Sequence, residues 1–195
     1  YERLAELYAA RPEAEIAVQV ARGLFNLGIT FGQQDKHDEA FAVYERLANL
    51  YATRPEAEIA AEVARALFNL GVTCDQQGNS EEEIVVYERL VDLYASRPEV
   101  EIAKQVARGM FNLGVTYDQL GKPDKEIAIY KRLDDLYAMR PEAEIAEQVA
   151  KGLVHLGITF GQQEKHDEAI AVYERLAGLY DARPEAEIAE HVAKG

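Results

Sequence analysis

The chain has 195 residues, 48% of them apolar, with 35 acidic and 21 basic side chains and a single cysteine. Its formal charge of −14 argues against binding to nucleic acid or to an anionic membrane surface, because both depend on clustered Lys and Arg. The apolar fraction is too high for a disordered chain, one cysteine excludes an intrachain disulfide, and the opening residues lack the features of a signal peptide. We therefore expect a folded, cytoplasmic protein.

Internal repetition is the strongest feature of the sequence. The motif Tyr-Glu-Arg-Leu, with Lys for Glu in one copy, begins at Tyr1, Tyr44, Tyr87, Tyr130 and Tyr173. Successive copies are 43 residues apart, and the motifs Arg-Pro-Glu and Leu-Gly recur with the same step. A fixed period of this length is typical of stacked arrays, in which each repeat buries its apolar face only against its neighbours.

This periodicity predicts the domain organisation. We expect residues 1–195 to form a single solenoid domain, because a stacked array has no separate globular parts. The repeats are predicted to start near Tyr1 (partial), Pro12, Pro55, Pro98, Pro141 and Pro184 (partial).

The first predicted helix of each repeat begins at the proline. In the repeat that starts at Pro55, apolar residues recur every three or four positions and predict a helix over about 55–77. Pro55 suits the first helical position because its missing N–H would have no partner there. Glu56 and Glu58 complement the positive end of the helix dipole.

The second predicted helix follows a short turn. Gly78 and Asn79 break the first helix, and Ser80 with Glu83 three residues later forms a capping-box pattern that starts the next one. That helix stops before an Arg-Pro pair, because the residue preceding a proline avoids the α region. Short turns on both sides make neighbouring helices antiparallel, so the sequence predicts an all-α chain of helix pairs.

These residues resemble the tetratricopeptide repeat. That family's 34-residue unit has Leu-Gly, an aromatic residue three positions after the Gly, and then a small residue and an aromatic in the second helix. The pattern is matched by Leu27-Gly28, Phe31, Ala40 and Tyr44, and it recurs in register along the chain. The 43-residue repeat resembles the longer ones of kinesin-light-chain-like and bacterial arrays. The resemblance implies a right-handed α-solenoid, a superhelix of antiparallel helix pairs whose first helices line a concave surface.

Three positions depart from the family pattern. Cys74 replaces the aromatic residue of the first helix, and we expect it to fill an apolar site. Glu83 and Glu126 replace the small residue of the second helix. We expect both carboxylates to extend towards water.

The resemblance implies that partners bind to the concave surface, where equivalent residues of successive first helices form rows. A cationic row would favour an acidic ligand segment, an aromatic row would bury apolar groups, and two amide rows would pair with a peptide backbone. The candidate binding residues are Arg22, Phe25, Asn26, Gln33, Arg65, Phe68, Asn69, Gln76, Arg108, Phe111, Asn112, Gln119, Lys151, His155 and Gln162.

Each row also has a structural interpretation. The phenylalanines could pack between neighbouring repeats, and the asparagines could hydrogen-bond across repeats to hold their register. The arginines could pair with glutamates of the same acidic chain. The sequence leaves these alternatives open.

Catalysis is not expected, because an active site needs unlike groups that converge, whereas translation by a fixed step produces rows of like groups. No histidine has metal-ligand spacing, and no cofactor is predicted. Two functions remain. The chain is either a scaffold that binds a protein or peptide segment, or a segment of a longer array that associates head to tail, excised from a signalling protein or designed from a consensus.

Overall fold

The computed structural model describes residues 14–181 of the chain. This part of the chain contains eight helices and no strand. The helices are α1 (Ala14–Gly32), α2 (His37–Tyr51), α3 (Ala57–Gln76), α4 (Ser80–Tyr94), α5 (Val100–Gln119), α6 (Pro123–Tyr137), α7 (Ala143–Gln162) and α8 (His166–Asp181). The repeat starts predicted near Tyr1, Pro12 and Pro184 lie outside the described residues.

The helices follow the period of the sequence. The first helices of successive repeats, α1, α3, α5 and α7, begin 43 residues apart, and so do the second helices, α2, α4, α6 and α8. The predicted fold class, an all-α solenoid of helix pairs, is confirmed, whereas the superhelix handedness and its concave surface stay predictions. No helix within residues 14–181 combines the length and the apolar composition that a membrane crossing requires.

Contacts between residues divide the chain into two compact units, Tyr1–Val106 and Ala107–Gly195, here called the N-terminal and C-terminal units. In the N-terminal unit, α1 packs against α2 and α3, and α3 packs against α2 and α4. In the C-terminal unit, α7 packs against both α6 and α8. The single domain expected from the sequence stays a prediction.

The predicted start of the first helix at Pro55 is wrong by two residues. Glu56 is the N-cap of α3 and has an extended backbone, with φ −61° and ψ 125°. The physical reason is a clasp across the proline, in which Arg54 Nε donates to Glu56 Oε2 at 3.0 Å. The same clasp joins Arg97 to Glu99 and Arg140 to Glu142. The Arg-Pro-Glu motif therefore fixes the loop before each of these helices.

The predicted capping box at the start of α4 is wrong by one residue. Gly78 has a positive φ of 69°, which lets the N–H of Asn79 donate to the Cys74 carbonyl at 2.9 Å and ends α3. Asn79 is then the N-cap of α4: its Oδ1 accepts from the Glu82 N–H at 3.4 Å, and its Nδ2 donates to Glu82 Oε2 at 2.7 Å. Ser80 and Glu83 do not form the box, because the Glu83 side chain is buried.

Close packing of the two helices in each repeat depends on the Leu-Gly motif. A Cβ added to Gly71 would overlap the ring of Tyr87, which is fully buried. Gly28 and Tyr44 make the same close approach one repeat earlier. Any larger residue at the glycine would force the tyrosine ring out of its place, which explains in physical terms why the two motifs occur together.

The three departures from the family pattern have different outcomes. Cys74 is fully buried, as predicted. The expectation that Glu83 and Glu126 extend towards water is wrong, because they are 4% and 2% exposed. The hydroxyl of Thr159 on α7 donates to Glu126 Oε1 at 2.7 Å and gives that carboxyl a buried hydrogen bond. Burial raises the pKa of Glu126, an effect that the hydrogen bond from Thr159 partly offsets.

Candidate functional site

The candidate residues lie on the first helices, at positions three or four apart, so they share one side of each helix. We define the first-helix face of the N-terminal unit by its exposed and partly exposed side chains. They are Arg22, Asn26 and Ile29 on α1, Gln33 directly after α1, and Arg65, Asn69, Val72 and Gln76 on α3. This face is the part of the candidate site that can be described within one compact unit.

The arginines of this face are engaged in ion pairs with neighbouring first helices. Arg22 Nη2 donates to Glu58 Oε2 on α3 at 3.0 Å, and Arg65 Nη2 donates to Glu101 Oε2 on α5 at 3.1 Å. Glu62 lies between them, with its Oε1 3.7 Å from Arg22 Nε and 3.5 Å from Arg65 Nη1. These pairs support the alternative in which the arginines neutralise glutamates of the same chain.

The cation at the equivalent position of the C-terminal unit is also engaged. Lys151 Nζ lies 2.6 Å from Glu147 Oε1, one turn earlier on α7. The same ammonium lies 5.9 Å from the centroid of the Phe111 ring, within the range of a cation–π contact. Lys151 is therefore held by its own unit, as are Arg22 and Arg65.

The phenylalanine row packs on the tyrosines of the second helices. Ring centroids are 6.1 Å apart in the pairs Phe25–Tyr44, Phe68–Tyr87 and Phe111–Tyr130. Tilted rings at this distance attract each other beyond the area that they bury. Phe68 is only 6% exposed, whereas Phe25 and Phe111 are partly exposed, so this row serves mainly packing within the array.

Two members of the asparagine row, Asn69 and His155, link consecutive repeats. Asn69 Nδ2 on α3 donates to Tyr44 Oη on α2 at 3.2 Å. At the equivalent position on α7, the His155 ring lies 5.8 Å from Tyr130 and 5.6 Å from Phe111. A hydrogen bond in one place and tilted ring contacts in the other thus connect a first helix to the preceding second helix.

The glutamine row differs from the other three. Its members are exposed and lie at the C-terminal ends of the first helices: Gln33, Gln76, Gln119 and Gln162. Within residues 14–181, none of these four side chains has a hydrogen-bond partner. Their amides keep both donor and acceptor capacity for a ligand.

Sequence analysis missed an aliphatic row beside the glutamines. It consists of Ile29, Val72, Val115 and Ile158, which are partly exposed, Ile158 by 46%. The signal was present, since Leu-Gly is followed by Ile or Val in every copy. It was overlooked because an aliphatic residue in a helical pattern is normally assigned to the core.

The remaining chemistry of the described residues is limited. Within residues 14–181, no group of three or more His, Cys, Asp or Glu side chains could hold a metal ion. Burial raises the pKa of the Cys74 thiol to about 12, so it stays protonated at neutral pH. The arrangement can contribute apolar contacts and neutral hydrogen bonds.

Comparison with known families agrees with the repeat pattern. Models described as tetratricopeptide repeat match residues 19–96, 107–138 and 150–182, which together make up most of the sequence. No curated protein matches the chain. Tetratricopeptide repeats are generally non-catalytic scaffolds for protein interactions.

Several solved structures are similar to this chain. MamA is 17% identical, with a TM-score of 0.59, over 94% of this chain and 88% of that one. Apo RapI is 16% identical, with a TM-score of 0.62, over 92% and 62%. BtubC from P. vanneervenii is 17% identical, with a TM-score of 0.61, over 89% and 66%. At these identities the likeness concerns the fold alone, and this chain spans less than two thirds of the lengths of RapI and BtubC.

The family models, the 43-residue step of the helix pairs and the contact between glycine and tyrosine in each pair lead to one assignment. Stacked pairs of this kind are specified by short motifs that recur in register, and here those motifs account for the helix starts, the turns and the core. The chain belongs to the tetratricopeptide repeat family.

Proposed function

We propose that this protein is a non-enzymatic scaffold that holds a segment of a partner protein on the first-helix face. The observation that supports this most is the contrast between rows on that face. Arg22, Arg65, Asn69 and the three phenylalanines contact their own array, whereas the four glutamine side chains have no hydrogen-bond partner within residues 14–181 and the aliphatic row is partly exposed. We therefore narrow the fifteen candidate residues to the glutamines and add the aliphatic row.

The two open rows have complementary roles. Ile29 and Val72 can remove apolar groups of a partner from water, which contributes about 25 cal/mol for each Å² buried. Gln33 and Gln76 lie one turn beyond them and can donate to and accept from backbone amides. A neutral hydrogen bond adds direction more than affinity, so the glutamines would orient a segment that the aliphatic row binds.

The same positions recur in the C-terminal unit. Gln119 and Gln162 repeat the glutamines, and Val115 and Ile158 repeat the aliphatic row. We propose that each compact unit presents such a face.

A library of random short peptides displayed on phage tests the proposal. Selection against the wild-type chain should enrich peptides that lose binding to a Gln33→Ala/Val72→Ala variant. Val85→Ala is the matched control, because Val85 is 62% exposed on the second helix α4. Enriched peptides that bind the face variant as well as the wild type would contradict the proposal.

Head-to-tail association with another copy is a second candidate function, and the surface of α8 favours it. Tyr173 is 43% exposed and Ile170 is 54% exposed, whereas the equivalent Tyr130 is 1% exposed. Exposed apolar side chains that lie together often mark interaction surfaces. Sedimentation at rising concentration should detect dimers that an Ile170→Ser variant weakens, and a wild-type monomer at every concentration would reject this candidate.

A further inference from the structure

The first-helix face of the N-terminal unit points to a particular kind of partner segment. Resting on the proposed function, we propose that the segment is cationic and extended in the polyproline II conformation, with an aliphatic side chain at about every third residue. Three features of the described residues lead to this: the spacing of the aliphatic row, the open glutamine amides and the charge around them.

Spacing determines how often the partner must place an apolar group. Helices α1 and α3 pack directly against each other, and axes of packed helices are about 8–10 Å apart. Ile29 and Val72 occupy equivalent positions on these two helices, so the row repeats with that distance. A segment in the extended polyproline II conformation has three residues per turn and rises about 3.1 Å per residue, so every third side chain lies on the same side, about 9 Å from the one before it.

The open amides favour an extended backbone over a helical one. A helix satisfies its N–H and C=O groups internally, except in its first and last turns. An extended segment carries unpaired backbone groups along its whole length, and these match the donor and acceptor of Gln33 and Gln76. A helix lying on this face would leave both glutamines without a backbone partner.

The surroundings of the face supply charge complementarity. The arginines are neutralised by Glu58, Glu62 and Glu101, so the face itself offers no open cation from Arg22 or Arg65. Exposed carboxylates flank the glutamines in the sequence, at the end of α3, in the turn after α1 and in the first turns of α2 and α4. They are Asp35, Asp38, Glu39, Asp75 and Glu81.

These carboxylates lie next to the open amides. Gln77, adjacent to Gln76, donates from its Nε2 to Asp38 Oδ1 at 3.0 Å and so brings the start of α2 to the end of α3. Lys36, in the turn between α1 and α2, is held over the Phe31 ring, with its Nζ 5.8 Å from the ring centroid. Lys or Arg residues between the aliphatic ones of a partner would therefore meet carboxylates, in a chain whose net charge is −14.

Three synthetic peptides test the inference. The first has isoleucine at every third position with lysine and serine between, the second replaces lysine by glutamate, and the third keeps the first composition with its isoleucines clustered. At low salt we expect the first to bind at least about tenfold more tightly than the other two and to weaken as salt rises. The Val72→Ala variant should weaken it several-fold and Val85→Ala should not.

The outcomes separate this inference from the proposed function. Equal or tighter binding of the glutamate peptide, or equal binding of the clustered peptide, overturns the inference and leaves the scaffold proposal standing. If none of the three peptides binds while the phage library still selects ligands for this face, the inference is likewise overturned and the scaffold proposal stands. Failure of both the peptides and the library overturns both.

Discussion

The junction between α2 and α3 and the junction between α6 and α7 have the same backbone arrangement and different chemistry. At the first, the small-residue position holds Ala40, and Tyr44 accepts a hydrogen bond from Asn69. At the second, the same positions hold Glu126, which accepts a hydrogen bond from Thr159, and Tyr130, whose ring contacts the tilted ring of His155. The comparison teaches that the tyrosine held against a glycine within each helix pair is kept, whereas the polar groups that join it to the next repeat can differ.

The largest effect should come from the glycine–tyrosine contact inside the helix pair that precedes each junction. Gly28→Ala and Gly114→Ala place a methyl group against the buried rings of Tyr44 and Tyr130, and each should lower the free energy of unfolding by about 3 kcal/mol. Urea unfolding followed by circular dichroism measures this. Gly32→Ala is the control, because nothing lies within 4 Å of the added methyl group. Equal effects at Gly28 and Gly32 would show that ring packing is unimportant.

The next largest effect should be a dependence of the free energy of unfolding on pH that comes from Glu126 at the second junction. The raised pKa of Glu126 means that the folded chain holds this proton to higher pH than the unfolded chain does. Its contribution to stability is therefore complete at acidic pH and is lost as pH rises through the folded pKa. The loss amounts to about 1.4 kcal/mol for each unit by which the two pKa values differ.

Glu126→Gln tests this sign directly. The amide keeps an acceptor for Thr159 and carries no charge, so the variant should be more stable than the wild type at neutral pH and equal to it in acid. Urea unfolding of both proteins across this pH range gives the difference. Arg54 and Arg97 lower the pKa values of Glu56 and Glu99, and these two groups therefore give stability the opposite dependence on pH. Because the wild type and the variant share them, their contribution cancels when the two free energies of unfolding are subtracted. A difference independent of pH would contradict the assignment.

A smaller effect should come from the hydrogen bond specific to the first junction. Asn69→Ala and Tyr44→Phe each remove the bond between Asn69 Nδ2 and Tyr44 Oη and should each cost about 1 kcal/mol. A double-mutant cycle isolates the coupling, since the double variant should lose less than the sum of the single losses. Strict additivity would mean that the two groups do not interact in solution.

The smallest effect should be the ion pair between Arg22 and Glu58. Both groups are largely exposed, so Arg22→Gln should cost at most about 0.5 kcal/mol at low salt and nothing measurable at high salt. Thermal unfolding at two salt concentrations checks this, with Glu45→Gln on the exposed side of α2 as a control. A loss that persists at high salt would indicate a stronger, desolvated pair than the exposure implies.

The fold could be predicted because it repeats. A step of 43 residues, a proline before each first helix and Leu-Gly followed by a tyrosine specify the helix pairs, and all of these are visible in the sequence. The exact helix starts could not be predicted, because they depend on contacts between side chains. Arg54 reaches across Pro55 to Glu56, and Asn79 reaches Glu82, which shifts each helix start by one or two residues.

The candidate site was less predictable than the fold. Spacing placed the rows on the first helices, but it could not tell which side chains already have partners within the array. Asn69 is engaged by a tyrosine 25 residues away and Arg22 by a glutamate 36 residues away, both on neighbouring helices. The sequence predicts that Glu126 is exposed to water, because nothing in it shows that the partner of this side chain is Thr159 in the next repeat.

The most direct test of the central claim is a chemical-shift map of the chain with a ligand peptide selected by phage display. The side-chain amide signals of Gln33 and Gln76 and the methyl signals of Ile29 and Val72 should move on binding, while the methyl signals of Val85 stay in place. Shifts confined to the second helices α2 and α4, with the signals of the first-helix face unchanged, would contradict the account.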